Sequence, residues 1–181
     1  MPLVAEASLT PSVVEGRIRY TMNNALSLSR EVGDRQESSV MEAVGGKWSI
    51  EVYLGGDGEE YRDYVSVFLH WKGKLEDRPK DICYLLRAVN QSDPTRSEER
   101  GGPQEKWEAD ANSTGEGWAK LIPTDTLLDP TEGFLVDDRV IFEAELTRTT
   151  GTSSSRVDEM QEAPATLSRD NMALLEVCAC V

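Results

Sequence analysis

The sequence predicts an all-β protein of the sandwich or barrel kind, and three short runs carry that reading. In residues 47–54, Trp48, Ile50, Val52 and Leu54 fall on one face of a strand, while Ser49, Glu51 and Tyr53 fall on the other. In residues 64–71, Val65, Val67, Leu69 and Trp71 make one apolar face, opposite Tyr64, Ser66, Phe68 and His70. Residues 139–146 place Val140, Phe142, Ala144 and Leu146 inward and Glu143 and Glu145 outward. Polar and glycine-rich turns separate such runs at the spacing of sandwiches and barrels, not of helix–strand alternation.

Along the chain, residues 1–12 mix small, apolar and proline residues without a period and read as a lead-in segment, with structure expected from Val13 onward. The run 47–54 ends at Gly55-Gly56-Asp57-Gly58. Both faces of 64–71 carry large side chains, so both need cover or use. Residues 82–90 form a further run. The charged stretch 91–104, with Asp93-Pro94 and Gly101-Gly102-Pro103, reads as a long loop. Trp107 opens another run, and Gly117-Trp118-Ala119-Lys120-Leu121-Ile122 starts one that Pro123 ends. Residues 124–128 read as a short helical or turn segment with Thr124 as N-cap. Asp137-Asp138 is expected to cap the turn before the last strand.

Residues 13–148 are therefore assigned to one sandwich domain. From 149 to 170 the composition shifts to Thr, Ser, Gly, Ala and acidic residues, too poor in large apolar groups to offset the entropy of ordering, and a flexible tail is expected. Residues 171–181 are apolar again and read as an extra strand, the start of a neighbouring unit or a short amphipathic helix.

Composition narrows the function. The 181 residues suit one well-packed domain, and 39% hydrophobic with 29% charged residues and a mean hydropathy of -0.45 describe an ordinary soluble globular protein. No apolar run approaches the roughly 18 to 20 residues needed to cross a bilayer. Lys+Arg total 19 against 33 for Asp+Glu, and the net charge of -14 would repel phosphate backbones and anionic lipid surfaces, so neither nucleic acid nor membrane is an expected partner. Cys83, Cys178 and Cys180 are an odd count, two of them too close for an ordinary disulfide framework, which fits a reducing, cytoplasmic or nuclear setting.

Catalytic and metal chemistry find little purchase. His70 is the single histidine, so neither a triad with a spare ligand nor a two-histidine metal site can be assembled; it reads as a partly exposed strand residue. Cys83, by parity with Leu85, reads as a small buried hydrophobe. Carboxylate pairs such as Glu59-Glu60 and Glu98-Glu99 read as solvated turns. Cys178-Ala179-Cys180-Val181 has the spacing of a prenylation box, but valine is an unusual last residue and no polybasic segment precedes it. No catalytic residue, metal site or cofactor is assigned, and an enzyme is not expected.

Four motifs in order then resemble the MATH (meprin and TRAF homology) domain. These are Gly46-Lys47-Trp48-Ser49-Ile50-Glu51-Val52-Tyr53, Tyr64-Val65-Ser66-Val67-Phe68-Leu69, Gly117-Trp118-Ala119-Lys120-Leu121-Ile122, and the stretch from Leu127 through Gly133 and Asp137-Asp138 to Val140. The pattern is nearest to members of the speckle-type POZ kind, which bind substrates. The resemblance covers residues 14–147 and implies an antiparallel eight-stranded β-sandwich of the TRAF/MATH type with flexible N- and C-terminal tails. Three departures accompany it, one being a loop before Gly117 longer than in the comparator. Ile18, Tyr20 and Met22 occupy the first-strand region where a tryptophan or similar residue is usual, and Glu116 stands where the comparator has a tryptophan beside its peptide.

By resemblance, the partners are extended peptide segments of client proteins, lying in a shallow groove and partly held by main-chain bonds to a strand edge. Carried over by motif position, the peptide-binding residues are Phe68, Tyr84, Trp107, Gly117 and Trp118, with Gly117 letting the ligand backbone come close. Strand parity supports Phe68 independently, because it lies opposite the Val65, Val67 and Leu69 face. Trp48 and Trp71 are assigned to the core. The resemblance further implies a client-recognition adaptor in ubiquitination. The alternative is a structural or assembly protein that self-associates by exchanging the apolar C-terminal segment as a strand.

Overall fold

The computed structural model describes residues 12–79, 81–108 and 114–150. Among them are β1 (Ser12–Asn23), β2 (Gln36–Glu37), β3 (Met41–Ala43), β4 (Gly46–Tyr53), β5 (Tyr64–Trp71), β6 (Ile82–Ala88), β7 (Glu98–Lys106), β8 (Gly115–Pro123), the short helix α1 (Thr124–Leu128) and β9 (Arg139–Thr150). All pairings are antiparallel. One sheet has the order β1-β9-β6-β7. The other runs β2-β4-β5-β8, with β3 also on β4. β2 and β3 lie along the same edge of β4, opposite Val52 and Trp48 respectively, so they make one interrupted edge strand and the sandwich has the eight-strand architecture the sequence implies. The C-terminal strand-exchange segment and the Cys178 motif lie outside the described residues.

The alternation in β4, β5 and β9 becomes the core. Trp48, Ile50, Val52, Val65, Val67 and Leu69 are fully buried, as are Val140, Phe142 and Ala144 facing them from the other sheet. Trp48 sits among Trp71 (ring centroids 5.1 Å apart, 71°) and Trp107 (5.3 Å, 89°), both edge-on as aromatic quadrupoles prefer. Each indole N–H meets a main-chain carbonyl: Trp48 donates to Ala43, Trp71 to Lys74 and Trp107 to Leu69. The three rings therefore enter the core without stranding a donor.

Two tight turns share one geometry with opposite chemistry. Asp137 (φ 51°) and Asp138 (φ 56°) make a two-residue turn between Val136 and Arg139 in the left-handed conformation that aspartate tolerates. The Asp138 carboxylate also accepts from the Leu26 N–H. Val44 (φ 46°) and Gly45 (φ 78°) make the same turn between β3 and β4, where a β-branched residue costs of order 1–2 kcal/mol. Val44 is buried against Gly16 of β1, which offsets that cost by removing its side chain from water.

Several expectations are corrected. The charged stretch 91–104 is not a loop. After a 3-10 turn at Pro94–Arg96, capped by the Asp93 carboxylate, it forms most of β7, an edge strand whose side chains are nearly all exposed. Exposure on both faces erases the period-2 signal, and Pro103 and the glycines are permitted because the outer edge has no partner. Thr124 is not an N-cap: its hydroxyl donates to the Leu54 carbonyl, and Pro123 precedes the helix without a side-chain cap. In β6 it is Ile82, Tyr84, Leu86 and Ala88 that point inward, so Cys83 and Leu85 lie on the outer face and Cys83 is only half-buried. Cys83 and Leu85 look apolar in sequence, but Arg87 shares their outer face.

Trp48→Ala is expected to lower stability by about 3–5 kcal/mol, the range for truncating a buried large aromatic, read as a fall in the urea midpoint.

Candidate functional site

Among the described residues β8 is the terminal strand of its sheet, hydrogen-bonded to β5 on one side only. Its register places Gly117 opposite Phe68 and Trp118 opposite Val67. Phe68 and Gly117 thus lie on the outer face of the second sheet, and Trp118 leans the other way, toward the seam between the two sheets. There it packs on Tyr84 of β6 (centroids 5.1 Å apart, 36°) and reaches over Gly101 of β7. Phe68 is half-buried and meets Tyr53 edge-on at 5.9 Å.

The five residues selected by motif position therefore divide. Phe68 and Trp118 keep accessible ring surface on either side of the β8 edge. Tyr84 is 4% exposed and supports Trp118 from below, so it is corrected from a groove contact to a floor. Trp107 is 2% exposed, its ring against Trp48 and its N–H on the Leu69 carbonyl, so it is corrected to a core residue. It follows an exposed edge strand and carries no alternation of its own that could have marked it as buried. Gly117 also changes meaning: a Cβ there would lie 2.0 Å from the Val67 carbonyl oxygen, so the missing side chain serves the close approach of β8 to β5 rather than that of a ligand.

The seam is acidic. Glu116, facing the same way as Trp118, has its carboxyl raised above the usual range by burial, against a hydrogen bond from the Glu108 main chain, with the Glu108 and Glu105 charges adding repulsion and Arg78 opposing. Burial likewise pushes the Tyr84 hydroxyl up, helped by Glu116 and Glu105.

Beside Phe68 the outer face holds a buried charge that the sequence reading passed over. Glu51 of β4 is 4% exposed and directly opposite Phe68 in the strand register. Its carboxylate accepts from the Tyr53 hydroxyl at 2.6 Å and from Arg35 Nη1 at 2.9 Å, and His70 Nε2 lies 3.3 Å away, outside hydrogen-bond geometry. The His70 imidazole chiefly, with Tyr53 and Arg35, holds the Glu51 carboxyl down at about 2 against the opposing effect of burial. Burial and the Glu51 contact push the Tyr53 hydroxyl up to about 12. Ser49, also buried, donates to Glu37, which Lys72 pairs. An acidic residue between two apolar ones reads in sequence as an outward strand position, and nothing local announces that Arg35 and His70 will cover it.

Among the described residues no group of three His, Cys, Asp or Glu side chains could hold a metal ion, and no helix is long and apolar enough to cross a membrane.

The structure is a two-layer antiparallel β-sandwich in which, among the described residues, the outer edge of β8 is unpaired and lies beside aromatic rings. The comparisons with known proteins agree: the MATH domain model matches residues 18–146, and the chain belongs to that family of protein-interaction modules. In three dimensions it is similar to TRAF5 of Notothenia coriiceps, with a TM-score of 0.56, 17% identity and 72% of each chain covered. In sequence it is similar to "Probable inactive serine/threonine-protein kinase fnkC" of Dictyostelium discoideum, 29% identical over 142 residues, which is 75% of this chain and 10% of that protein. The chain thus spans about a tenth of the length of that relative.

Because the folded Glu51 carboxyl titrates near 2 and an unfolded one near 4.5, its stabilisation is complete above pH 4.5 and is lost as the pH falls toward 2. Glu51→Gln should flatten the pH dependence of the thermal midpoint within that window.

Proposed function

We propose that this chain is a peptide-docking module that binds short extended segments of partner proteins along β8, with Phe68 and Trp118 gripping side chains on the two sides of the incoming strand. The observation that supports this best is the terminal position of β8, whose far edge has no partner strand among the described residues, next to two rings with accessible surface. Main-chain N–H and C=O groups along such an edge provide affinity for any extended peptide, and the flanking rings provide selection.

The MATH assignment supports a protein partner, and the absence of a nameable nucleophile, base and oxyanion set supports a binding rather than a catalytic role. A client-recognition adaptor for ubiquitination, acting in the cytoplasm or nucleus with its effector on another chain or segment, is the finer form of this reading. Glu105, Glu108 and Glu116 around the Tyr84–Trp118 stack favour neutral or basic peptides over acidic ones.

Phe68→Ala and Trp118→Ala are each expected to weaken a peptide selected from a random library by about 1–3 kcal/mol in titration calorimetry, with cooperative unfolding retained. Loss of stability without loss of affinity would place both rings in a purely structural role. In the same selection, peptides should be enriched in Lys and Arg; a predominantly acidic set of binders would contradict the electrostatic reading of the seam.

A further inference from the structure

Along β8 the pairing with β5 is regular from Gly115 to Trp118 and then breaks into a bulge, where the Ser66 hydroxyl donates to the Ala119 carbonyl at 2.8 Å. The regular stretch is the part of the edge that an added strand can match. Alternation sends two of its side chains, Glu116 and Trp118, toward the seam between the sheets. A carboxylate is out of place there. Glu116 pairs with Leu69, a fully buried core residue, and shares its face with the Trp118 ring.

Other carboxylates that the fold withdraws from water come with cations. Glu143 has Arg17, Arg19 and Arg87, Glu51 has Arg35 and His70, and Glu37 has Lys72. No cation among the described residues forms an ion pair with Glu116. The donor that meets it is the Glu108 main chain, and the charges acting on it are Glu108 and Glu105, which repel, and Arg78, which opposes them from over the Trp107 ring. The local set is therefore three carboxyls against one guanidinium. The cations of β7 are directed elsewhere: Lys106 pairs with Cys83 on the outer face of the first sheet, and Arg100 turns back onto the Glu99 carbonyl. Of the described carboxyls that shift, Glu37, Glu51, Asp93 and Asp129 are held down, and Glu116 is pushed up. A half-buried carboxylate without a cation weakens the fold, and such a cost persists where a ligand supplies the missing partner.

In an added strand, the residue opposite Glu116 points the same way, its Cβ about 5 Å from that of Glu116. The next residue on that side, two positions along, meets Trp118. We infer that Glu116 is the specificity-determining residue of the β8 edge, an assignment that rests on the docking reading of β8. It takes a lysine or arginine of the partner segment, with an apolar side chain two positions away lying on Trp118. One side chain thus sets the preference for basic segments and fixes where in the segment the positive charge stands.

The test is selection from a random peptide library on the full chain in four forms: wild type, Glu116→Gln, Glu116→Lys and Glu105→Lys. Wild-type binders are expected to carry Lys or Arg at one position and an apolar residue two positions away. In Glu116→Lys the first position should change to Asp or Glu while the apolar one stays. Glu116→Gln should bind the wild-type peptides about tenfold more weakly, as for a partly desolvated charge pair, with an unchanged or higher thermal midpoint. Lys or Arg enrichment that survives in Glu116→Lys, or that Glu105→Lys exchanges equally, would overturn the assignment. So would a thermal midpoint that falls in Glu116→Gln, which makes the carboxyl a structural partner. In each of these cases docking along β8 still stands if Trp118→Ala weakens the peptides. Peptides whose affinity neither Phe68→Ala nor Trp118→Ala alters would overturn the docking reading itself, and the role of Glu116 with it.

Discussion

The indole cluster of Trp48, Trp71 and Trp107 is the constraint around which the rest of the domain is arranged. Trp48 has no exposed surface, and the two rings that touch it come from β5 and from the segment after β7, so parts of the chain distant in sequence converge on one side chain. Each ring carries an N–H that must be satisfied in the interior, and the three carbonyls that do so belong to Ala43, Lys74 and Leu69. The positions of the β3–β4 hairpin and of the turn after β5 follow from these bonds.

Buried charge is the second organising feature, and it lies on the outer faces of the sheets, away from the interior. Glu143 of β9 is 2% exposed yet ionic, with Arg17, Arg19 and Arg87 around it from the two flanking strands. Glu51 has the corresponding position on the second sheet, covered by Arg35, Tyr53 and His70. In both places long cationic or polar side chains lie over a carboxylate and remain partly wet themselves, so the charge is paired without being carried into the hydrophobic layer. Removing one partner would leave a desolvated charge, which costs far more than an exposed pair is worth.

Legibility in the sequence followed side-chain contrast. β4, β5 and β9 alternate cleanly, and their inward residues are those the period-2 pattern selects. β7 was missed because Glu98, Glu99, Arg100 and Gln104 give no contrast between faces on an edge strand exposed on both. Cys83 was read as buried because it alternates with Leu85, although Arg87 on the same side marks that face of β6 as the outer one. Of the proposed docking residues, Phe68 was found by parity and Trp118 by motif. Tyr84 and Trp107 were misplaced because a tryptophan or tyrosine at a strand boundary looks the same in sequence whether it lies beneath a neighbour or above it. Glu51, the most strongly perturbed carboxylate, has Tyr53 two residues away, but its cationic cover, Arg35 and His70, lies 16 and 19 residues away, beyond the reach of any local pattern.

The longest ladder in the molecule joins β1 to β9 without a break, from Asn23 beside Arg139 to Ser12 beside Thr150. The backbone consequently comes in and goes out at neighbouring points, separated by about one interstrand spacing of 5 Å. A unit closed in this way behaves as a cassette. Set within a larger polypeptide, it hardly alters the gap that its host must bridge.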